Sequence, residues 1–513
     1  MSRSYLVAGL FVLSAALRLF ALDADPPSSL DWTSGIWTDE GFYTYAARNA
    51  VLFGGTRDDF HPEVLSPVLN AVQEAVFRAF GVGLIQARLI SVACSLGALA
   101  LFGDGLRRVW GPRVALTGLV FLGGDAVFIF YNRLALLETP AVMVACAAFW
   151  AYTLNRPWAW VLAGVLAASA LAFKTTFLLF LPLPALVWFL RRAWRPLGWY
   201  TLGVTLGAAA YWLGWGAAHG AEVVRLNHYY WTHQSQPRSL AEVGADLWRA
   251  VFGPHRSVLG FLLSRSPVVT LLALAGLLTR GKRPPRPNSG EPEKTERAGK
   301  KGGGTPPLLL TSGSPRIGGG GGLFLARDTE QLFRWWAVFG LGFLCLTRYA
   351  PTRYDLVILP ALVALAALSL RRLPLVWLKR LPTVYAVRIA ALVLFLCVSL
   401  GQWGYWAATR GYCTRDVSRE LSRIVPPGVT IAGDWAPGLC LNNRVRAVPV
   451  LPDLANGQDP LTTLHPGFVL VTQTPYPVRY WQRVAPSVVR PENITARFRV
   501  HDYQLILYRV RHP

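Results

Sequence analysis

Two adjacent carboxylates, Asp39 and Glu40, are the residues of this chain best suited to chemistry. A carboxylate within hydrogen-bond reach of a hydroxyl or amine can act as a general base. The aromatic neighbours of the pair are Trp37, Phe42, Tyr43 and Tyr45. Because acids among aromatic side chains indicate a lined cavity, we interpret this segment as the candidate active site. The alternative is a helix cap, since the helix dipole favours acids near an N-terminus.

The composition places these acids in a membrane protein. The 513 residues are 53% hydrophobic and 15% charged, with a mean hydropathy of +0.35, which leaves too little polar surface to cover a soluble globule of this size. Apolar runs recur along the chain at lengths near the ~20 residues that cross a bilayer. The sequence therefore predicts a polytopic α-helical membrane protein with about eleven transmembrane helices.

The basic residues follow a membrane pattern. The formal net charge is +23, yet the Lys and Arg residues lie at alternate junctions between apolar runs. If the N-terminus is cytoplasmic, all these junctions are cytoplasmic, as the positive-inside rule requires. They contain Arg107, Arg108, Arg113, Arg156, Arg191, Arg192, Arg195, a basic segment from Arg280, Arg371, Arg372, Lys379 and Arg380. We therefore expect membrane lipids, and no nucleic acid, as partners.

The same alternation assigns the remaining junctions to the outside. They are the acidic pair, residues 131–137, Lys174, residues 218–257, residues 348–355 and the C-terminal tail. All candidate chemistry thus shares the extracytoplasmic face of what we predict to be the cell (inner) membrane. The first apolar run could be a cleaved signal peptide, but a retained helix is favoured because residues 21–25 make a poor cleavage site.

Changes in composition divide the chain into a membrane domain, 1–408, and a small extracytoplasmic α/β domain, 409–513. The second has β-rich stretches between Pro- and Gly-bearing turns. Within the first, residues 23–83 read as a long outer loop with surface helices. Residues 280–330 are rich in Gly, Pro, Lys and Arg and read as a disordered cytoplasmic linker.

Two of the six cysteines, Cys413 and Cys440, fall in the predicted outer domain. An oxidising compartment would allow a disulfide between them. Sequence does not give their separation, so a disulfide and two free thiols both remain open.

A series of motifs carries a family resemblance. It consists of Trp37-Thr-Asp-Glu-Gly-Phe-Tyr, His61-Pro-Glu, Gly81 to Leu89, Asn132-Arg133-Leu-Ala-Leu-Leu-Glu138, Phe173-Lys174, and Thr352-Arg353-Tyr354 with Pro360. The series resembles the GT-C membrane glycosyltransferases, and within them the protein O-mannosyltransferase and aminoarabinose transferase branch. The similarity covers roughly the first 190 residues and returns near Arg353. The chain departs from the pattern at Glu138, Glu63 and Val357.

The resemblance implies a polyprenyl-phosphate-linked sugar as donor and leaves the acceptor open among lipid, glycan and protein. In such a transfer Asp39 is the candidate base, with Glu40 beside it. The charge that develops on the leaving phosphate needs cations, for which Lys174, Arg353 and Arg133 are the candidates. The remaining candidates for substrate or phosphate binding are His61, Glu138 and Tyr354. A single attack opposite the phosphate predicts inversion at the sugar.

A divalent metal is possible and not required by this chemistry. Glu40 and Glu138 could hold Mg²⁺ or Mn²⁺, together with His61 or His228, because carboxylates suit these hard ions. The resemblance includes metal-dependent and metal-independent members.

Other interpretations compete with these roles. Glu138 could cap its helix, and Lys174 and Arg353 could snorkel to lipid headgroups. For the whole protein, the alternatives are a lipid-linked sugar flippase or transporter and an inactive scaffold. The outer position of the charges, and the absence of a clear internal repeat in the sequence, favour the enzyme.

Overall fold

The computed structural model describes residues 3–55, 64–234, 239–253, 257–279, 321–347, 349–372 and 381–511. The N-terminal part is helical, with short 3₁₀ segments between several helices. Its helices are α1 (Arg3–Leu19), α2 (Gly35–Phe53), α3 (Pro67–Phe80), α4 (Leu84–Trp110), α5 (Pro112–Gly124), α6 (Ala126–Asn132), α7 (Glu138–Thr153), α8 (Pro157–Ala168), α9 (Pro182–Leu190), α10 (Trp194–Tyr211), α11 (Ala217–Gln234), α12 (Leu240–Phe252), α13 (Val258–Arg265), α14 (Pro267–Leu278), α15 (Gly321–Leu346), α16 (Leu359–Arg372) and α17 (Leu381–Thr409).

Few of the described helices could cross a bilayer alone by length and composition. Two candidates are Leu84–Trp110 and the segment Tyr385–Ile424, and a third arises if α5 and α6, bent by 60°, form one span. Other apolar runs form helices of 10–17 residues, shorter than the ~20 residues of a straight crossing. The eleven predicted crossings are therefore not confirmed, and their number stays a prediction.

Local chemistry explains where the apolar runs break. At the α5–α6 bend, the Asp125 carboxylate accepts a hydrogen bond of 3.0 Å from the Phe128 N–H and so caps α6. A second break separates α8 from α9, where 3₁₀ turns flank Lys174 and proline occupies the first position of α9. Proline suits that position because its missing N–H would have no partner there. The break leaves Lys174 inside the protein between two half-helices.

The predicted cytoplasmic linker, residues 280–330, extends too far towards the C-terminus. Helix α15 begins at Gly321, so residues 321–330 are helical, and residues 280–320 lie outside the described residues. Glu330 ties this helix to α16, because its carboxylate accepts two hydrogen bonds of 2.7 Å from Arg372. The helical repeat of this segment was hidden by the glycines that precede it.

The C-terminal part is the predicted small α/β domain. It contains α18 (Cys413–Ile424), β1 (Thr430–Ala432), α19 (Ala436–Leu439), β2 (Arg446–Val448), α20 (Pro460–Leu464), β3 (Phe468–Thr472), α21 (Pro475–Val484), β4 (Ile494–Val500) and β5 (Tyr503–Arg509). The strand order is β2-β1-β3-β5-β4, parallel on both sides of β1 and antiparallel through β5. Strand β3 is buried along its whole length, with Phe468 and Leu470 in one apolar cluster and Val469 and Val471 in another.

Helix α2 joins the two domains. Arg48 donates hydrogen bonds of 2.8 and 2.7 Å to the carbonyls of Asn443 and Val445, and the Asn49 side-chain amide donates one of 2.9 Å to that of Ala447. Another face of α2 packs on α3. The segment predicted to contain surface helices thus includes a helix, α2, that is largely buried between the domains.

Candidate active site

A cavity of about 440 Å³ lies between the helical domain and the C-terminal domain. Its charged lining residues are Asp39, Lys174, Arg353 and Asp434. Its tyrosines are Tyr43, Tyr211, Tyr229, Tyr230, Tyr349 and Tyr354. Charges of both signs with aromatic walls are suited to a ligand that has an anionic group and a sugar-sized polar body.

Asp39 and Arg353 form the centre of this cavity. An Arg353 guanidinium nitrogen, Nη2, lies 2.7 Å from Oδ2 of Asp39, whose side chain is 18% exposed. Burial raises the pKa of Asp39 above its ordinary value, while Arg353 opposes that change. Burial would lower the pKa of Arg353, but Asp39 and its neighbours raise it well above the ordinary value, so the guanidinium stays charged.

Glu138 holds the two cations of the cavity. Its Oε1 lies 3.1 Å from Lys174 Nζ and 3.4 Å from Arg353 Nε, and its side chain is fully buried. Glu138 is the first residue of α7, where the helix dipole also favours an acid. The Lys174 ammonium stacks 5.0 Å from the centre of the Tyr354 ring. Lys174 therefore points into a buried charge network and not towards headgroups.

The structure separates Glu40 from its neighbour. The Glu40 carboxylate accepts hydrogen bonds of 2.8 and 2.5 Å from Arg88 and one of 2.7 Å from the Ala135 N–H. It is not among the residues that line the cavity with Asp39. Its contacts are those of a residue that joins α2 to α4 and to the turn between α6 and α7, and the predicted catalytic role of Glu40 has no geometric support.

Arg133 also lies elsewhere. Its guanidinium donates hydrogen bonds of 2.7 and 2.6 Å to the carbonyls of Phe20 and Ala21 and stacks 4.2 Å from the centre of the Trp406 ring. Because these contacts fix the end of α1, Arg133 is not placed to bind the phosphate of a ligand in this cavity. His61 lies outside the described residues, and His228 is exposed on α11.

The metal candidates do not meet at one point in the described structure. Glu40 is neutralised by Arg88 and Glu138 by Lys174 and Arg353. Carboxylates that are already paired with cations make a poor binding site for Mg²⁺ or Mn²⁺. These residues therefore do not fit the ion that the sequence left possible. In the C-terminal domain, Cys413 and Cys440 are free thiols, so the structure has no disulfide between them.

Asp434 is a site residue that the sequence analysis missed. It comes from the C-terminal domain and accepts hydrogen bonds of 3.1 Å from the Thr472 hydroxyl. Burial raises its pKa to about 6. The sequence did contain a pattern that could have indicated this residue. Asp434 follows the end of β1, and ligands bind at the carboxyl ends of parallel strands. The cavity tyrosines Tyr229 and Tyr230 lie in a helix that the sequence suggested was a loop.

Comparison with solved structures assigns the fold to a known class. It is the GT-C fold of integral membrane proteins, and the sequence resemblance is confirmed at that level. The similar structures are of ArnT, the aminoarabinose transferase, from Cupriavidus metallidurans. The apo form has a TM-score of 0.60 and 14% identity, and the form bound to undecaprenyl phosphate has a TM-score of 0.58 and 13% identity. Each comparison covers 99% of this chain and 98% of ArnT. No protein-family model and no curated protein matches the sequence.

Proposed function

We propose that this protein is a membrane glycosyltransferase that moves a sugar from a polyprenyl-phosphate donor to an acceptor. The observation that carries the proposal is the convergence of Asp39 with Lys174 and Arg353 in one cavity. A base and two cations are the groups that this transfer needs. The fold adds support, because the similar ArnT structure is bound to undecaprenyl phosphate.

In the proposed reaction Asp39 takes the proton of an acceptor hydroxyl or amine as its oxygen or nitrogen attacks the anomeric carbon. The bond between that carbon and the phosphate oxygen breaks, and its electron pair leaves with the polyprenyl phosphate. The raised pKa of Asp39 makes it a better proton acceptor than an ordinary aspartate. Because attack is opposite the leaving group, the product is inverted.

The leaving phosphate is stabilised by Lys174 and Arg353. Arg353 offers a planar fork to phosphate oxygens and Lys174 a point charge. Glu138 does not touch the substrate in this scheme and acts as a positioning residue for both cations. A donor phosphate that shares Arg353 would weaken the Asp39–Arg353 pair and free the carboxylate for the acceptor. The ring of Tyr354 makes cation–π contacts with both Lys174 and Arg353 and so helps to hold them in place.

We place the reaction on the outer face of the cell (inner) membrane, as the distribution of basic residues indicates. The C-terminal domain, which supplies Asp434, is then extracytoplasmic as well. The acceptor is a lipid, a glycan or a protein that reaches this face. The sugar, a hexose or a pentose, is set by the cavity walls.

The test is a transfer assay with purified protein and a panel of labelled undecaprenyl-phosphate sugars. We expect release or transfer of one sugar, with inversion. Asp39→Asn should lower the rate by about 10²- to 10⁴-fold, the usual contribution of a general base, while donor binding persists. Lys174→Met should weaken both binding and turnover. The control is Asp416→Asn, which removes an exposed carboxylate of α18.

If the Asp39→Asn variant keeps the full transfer rate, Asp39 is not the base. Retention of configuration would exclude the single attack. If the wild type uses no donor but moves lipid-linked sugar across a bilayer, the protein is a flippase.

A further inference from the structure

A second cluster of chemically capable side chains lies where the membrane domain meets the C-terminal domain. It consists of Asp25, Cys413 and His501, whose ligand atoms all lie within 4.8 Å of one another. The three come from distant parts of the chain. Asp25 follows α1, Cys413 begins α18, and His501 is in the turn between β4 and β5. None of them lines the cavity that contains Asp39.

The spacing of these atoms suits a small tetrahedral ion. Oδ2 of Asp25 lies 3.4 Å from Nε2 of His501. An ion with bonds of about 2.0 to 2.1 Å to oxygen and nitrogen separates two tetrahedral ligand atoms by about 3.3 Å. The Cys413 sulfur lies within 4.8 Å of both atoms, and a thiolate binds zinc at the longer distance of about 2.3 Å.

The carboxylate and the imidazole are held in place by other contacts. Asp25 is 1% exposed; its Oδ2 accepts a 2.6 Å hydrogen bond from the Cys413 N–H, and its Oδ1 accepts one from the Thr414 hydroxyl. The His501 ring stacks on Trp37 with centres 4.1 Å apart. Neighbours that orient ligands in this way are typical of metal sites.

His501 supplies an independent sign of a ligand. Its Nε2 atom is buried and makes no hydrogen bond of normal geometry; the Asp25 carboxylate, 3.4 Å away, is its ion-pair contact. A buried ring nitrogen that is poorly hydrogen-bonded is costly. An ion between Asp25 and Cys413 would satisfy it.

We propose that Asp25, Cys413 and His501 bind a zinc ion that clamps the C-terminal domain to the membrane domain. A mixed sulfur, nitrogen and oxygen donor set selects Zn²⁺, whereas Mg²⁺ and Mn²⁺ prefer oxygen alone. Asp25 and His501 also border a cavity of about 480 Å³, from which water can supply the fourth ligand. Since His501 stacks on Trp37, which lies in α2 two residues before Asp39, the clamp also steadies that helix.

The test starts with purified full-length protein that is stripped with a chelator, incubated with ZnCl₂ and desalted. We expect one tightly bound zinc per chain by elemental analysis, and a higher thermal unfolding midpoint than in the stripped protein. Cys413→Ser and His501→Gln should each lose the retained zinc and the zinc-dependent rise in midpoint. Replacement by Co²⁺ should give a thiolate-to-cobalt absorption band in the wild type.

The matched controls are Cys397→Ser and His228→Gln, which change an exposed thiol and an exposed imidazole and should keep the zinc. The cobalt measurement needs no variant, so it decides the question even if a substitution prevents folding. No retained zinc and no thiolate band in the wild type would overturn the proposal and leave Asp25 and His501 as an ion pair. Equal zinc in Cys413→Ser and wild type would also overturn it.

Discussion

At the scale of single residues, the two acids of the sequence motif have different roles because of helix geometry. Consecutive residues of an α-helix point about 100° apart, so the two neighbouring side chains can reach different partners. Asp39 faces the cavity and Glu40 faces Arg88 on α4. The pair that looks like one site in the sequence is a candidate base beside a buried structural ion pair.

Glu40→Gln should therefore affect stability before chemistry. The variant leaves the Arg88 guanidinium buried without its charge partner, and breaking a buried pair in this way costs about 3 to 5 kcal/mol. We expect a clear fall in the thermal unfolding midpoint in detergent. The unfolding midpoint of Asp39→Asn should fall much less, since the carboxylate of Asp39 is partly exposed and has a raised pKa.

Glu74→Gln is the matched control for that comparison. It removes a similar ion pair, with Arg78, whose arginine is largely exposed, and such pairs contribute about 0 to 1 kcal/mol. A midpoint of Glu40→Gln equal to that of the control, combined with loss of transfer, would instead return Glu40 to a catalytic role.

At the scale of elements, α2 determines how the cavity is built. One of its faces packs on α3, and another contacts the short helix α19 of the C-terminal domain. The two helices approach closely at Gly41 and Gly438, where a β-carbon added to Gly41 would lie 2.0 Å from the Gly438 backbone nitrogen. Only glycine allows this approach, which holds Asp39 next to the C-terminal domain.

Gly41→Ala should push the two elements apart. The clash is with backbone, which cannot rotate away as a side chain can, so we expect a loss of at least the ~1 to 3 kcal/mol typical of overpacking. The measurement is thermal unfolding together with the rate of proteolytic cleavage between the domains, which should rise.

The control is Gly404→Ala in α17, where an added β-carbon meets nothing within 4 Å. Alanine is the better helix former by about 1 kcal/mol, so this variant should be neutral or slightly more stable. Equal effects of the two substitutions would show that the contact between α2 and α19 does not hold the domains together.

At the scale of the whole molecule, the cavity is complete only when both domains are docked. The helical domain supplies Asp39, Lys174 and Arg353, and the C-terminal domain supplies Asp434. Asp434 faces the cavity with a pKa of about 6, which makes it a candidate contact for a hydroxyl or amine of the acceptor. The C-terminal domain is thus part of the proposed site and not an appendage.

The pH dependence of stability should report on Asp434. Its pKa is about 6 in the folded protein against 3.8 ordinarily, so the unfolded state ionises first as the pH rises. The free energy of unfolding therefore gains most from Asp434 below about pH 4. This gain falls between pH 4 and 6 and is absent above pH 6, a total loss of at most about 3 kcal/mol. Asp434→Asn should be more stable than wild type at pH 7, and this advantage should vanish towards pH 4.

Unfolding midpoints measured from pH 4 to pH 8 test this expectation, with Asp502→Asn, an exposed residue of the β4–β5 turn, as the control. An advantage of Asp434→Asn that does not change with pH would mean that ionisation of Asp434 has no part in it.

The sequence by itself determined the class of the protein. Apolar runs, alternating basic junctions and ordered motifs are local properties, and they were sufficient to predict a helical membrane protein with the GT-C fold and a small α/β domain. The same motifs named Asp39, Lys174 and Arg353, which the structure brings to one cavity. Breaks in the helices were less predictable, because a capping aspartate or a 3₁₀ turn interrupts an apolar run without changing its composition.

Only the tertiary structure decided which charges belong together. Glu40 pairs with Arg88, and Arg133 binds the carbonyls at the end of α1. Asp434 lines the same cavity as Asp39, although it lies 395 residues later in the sequence. Pairing of this kind depends on which helix faces pack against each other, and a one-dimensional pattern does not contain that information. The sequence determined which residues can do chemistry, and packing determined which of them share a site.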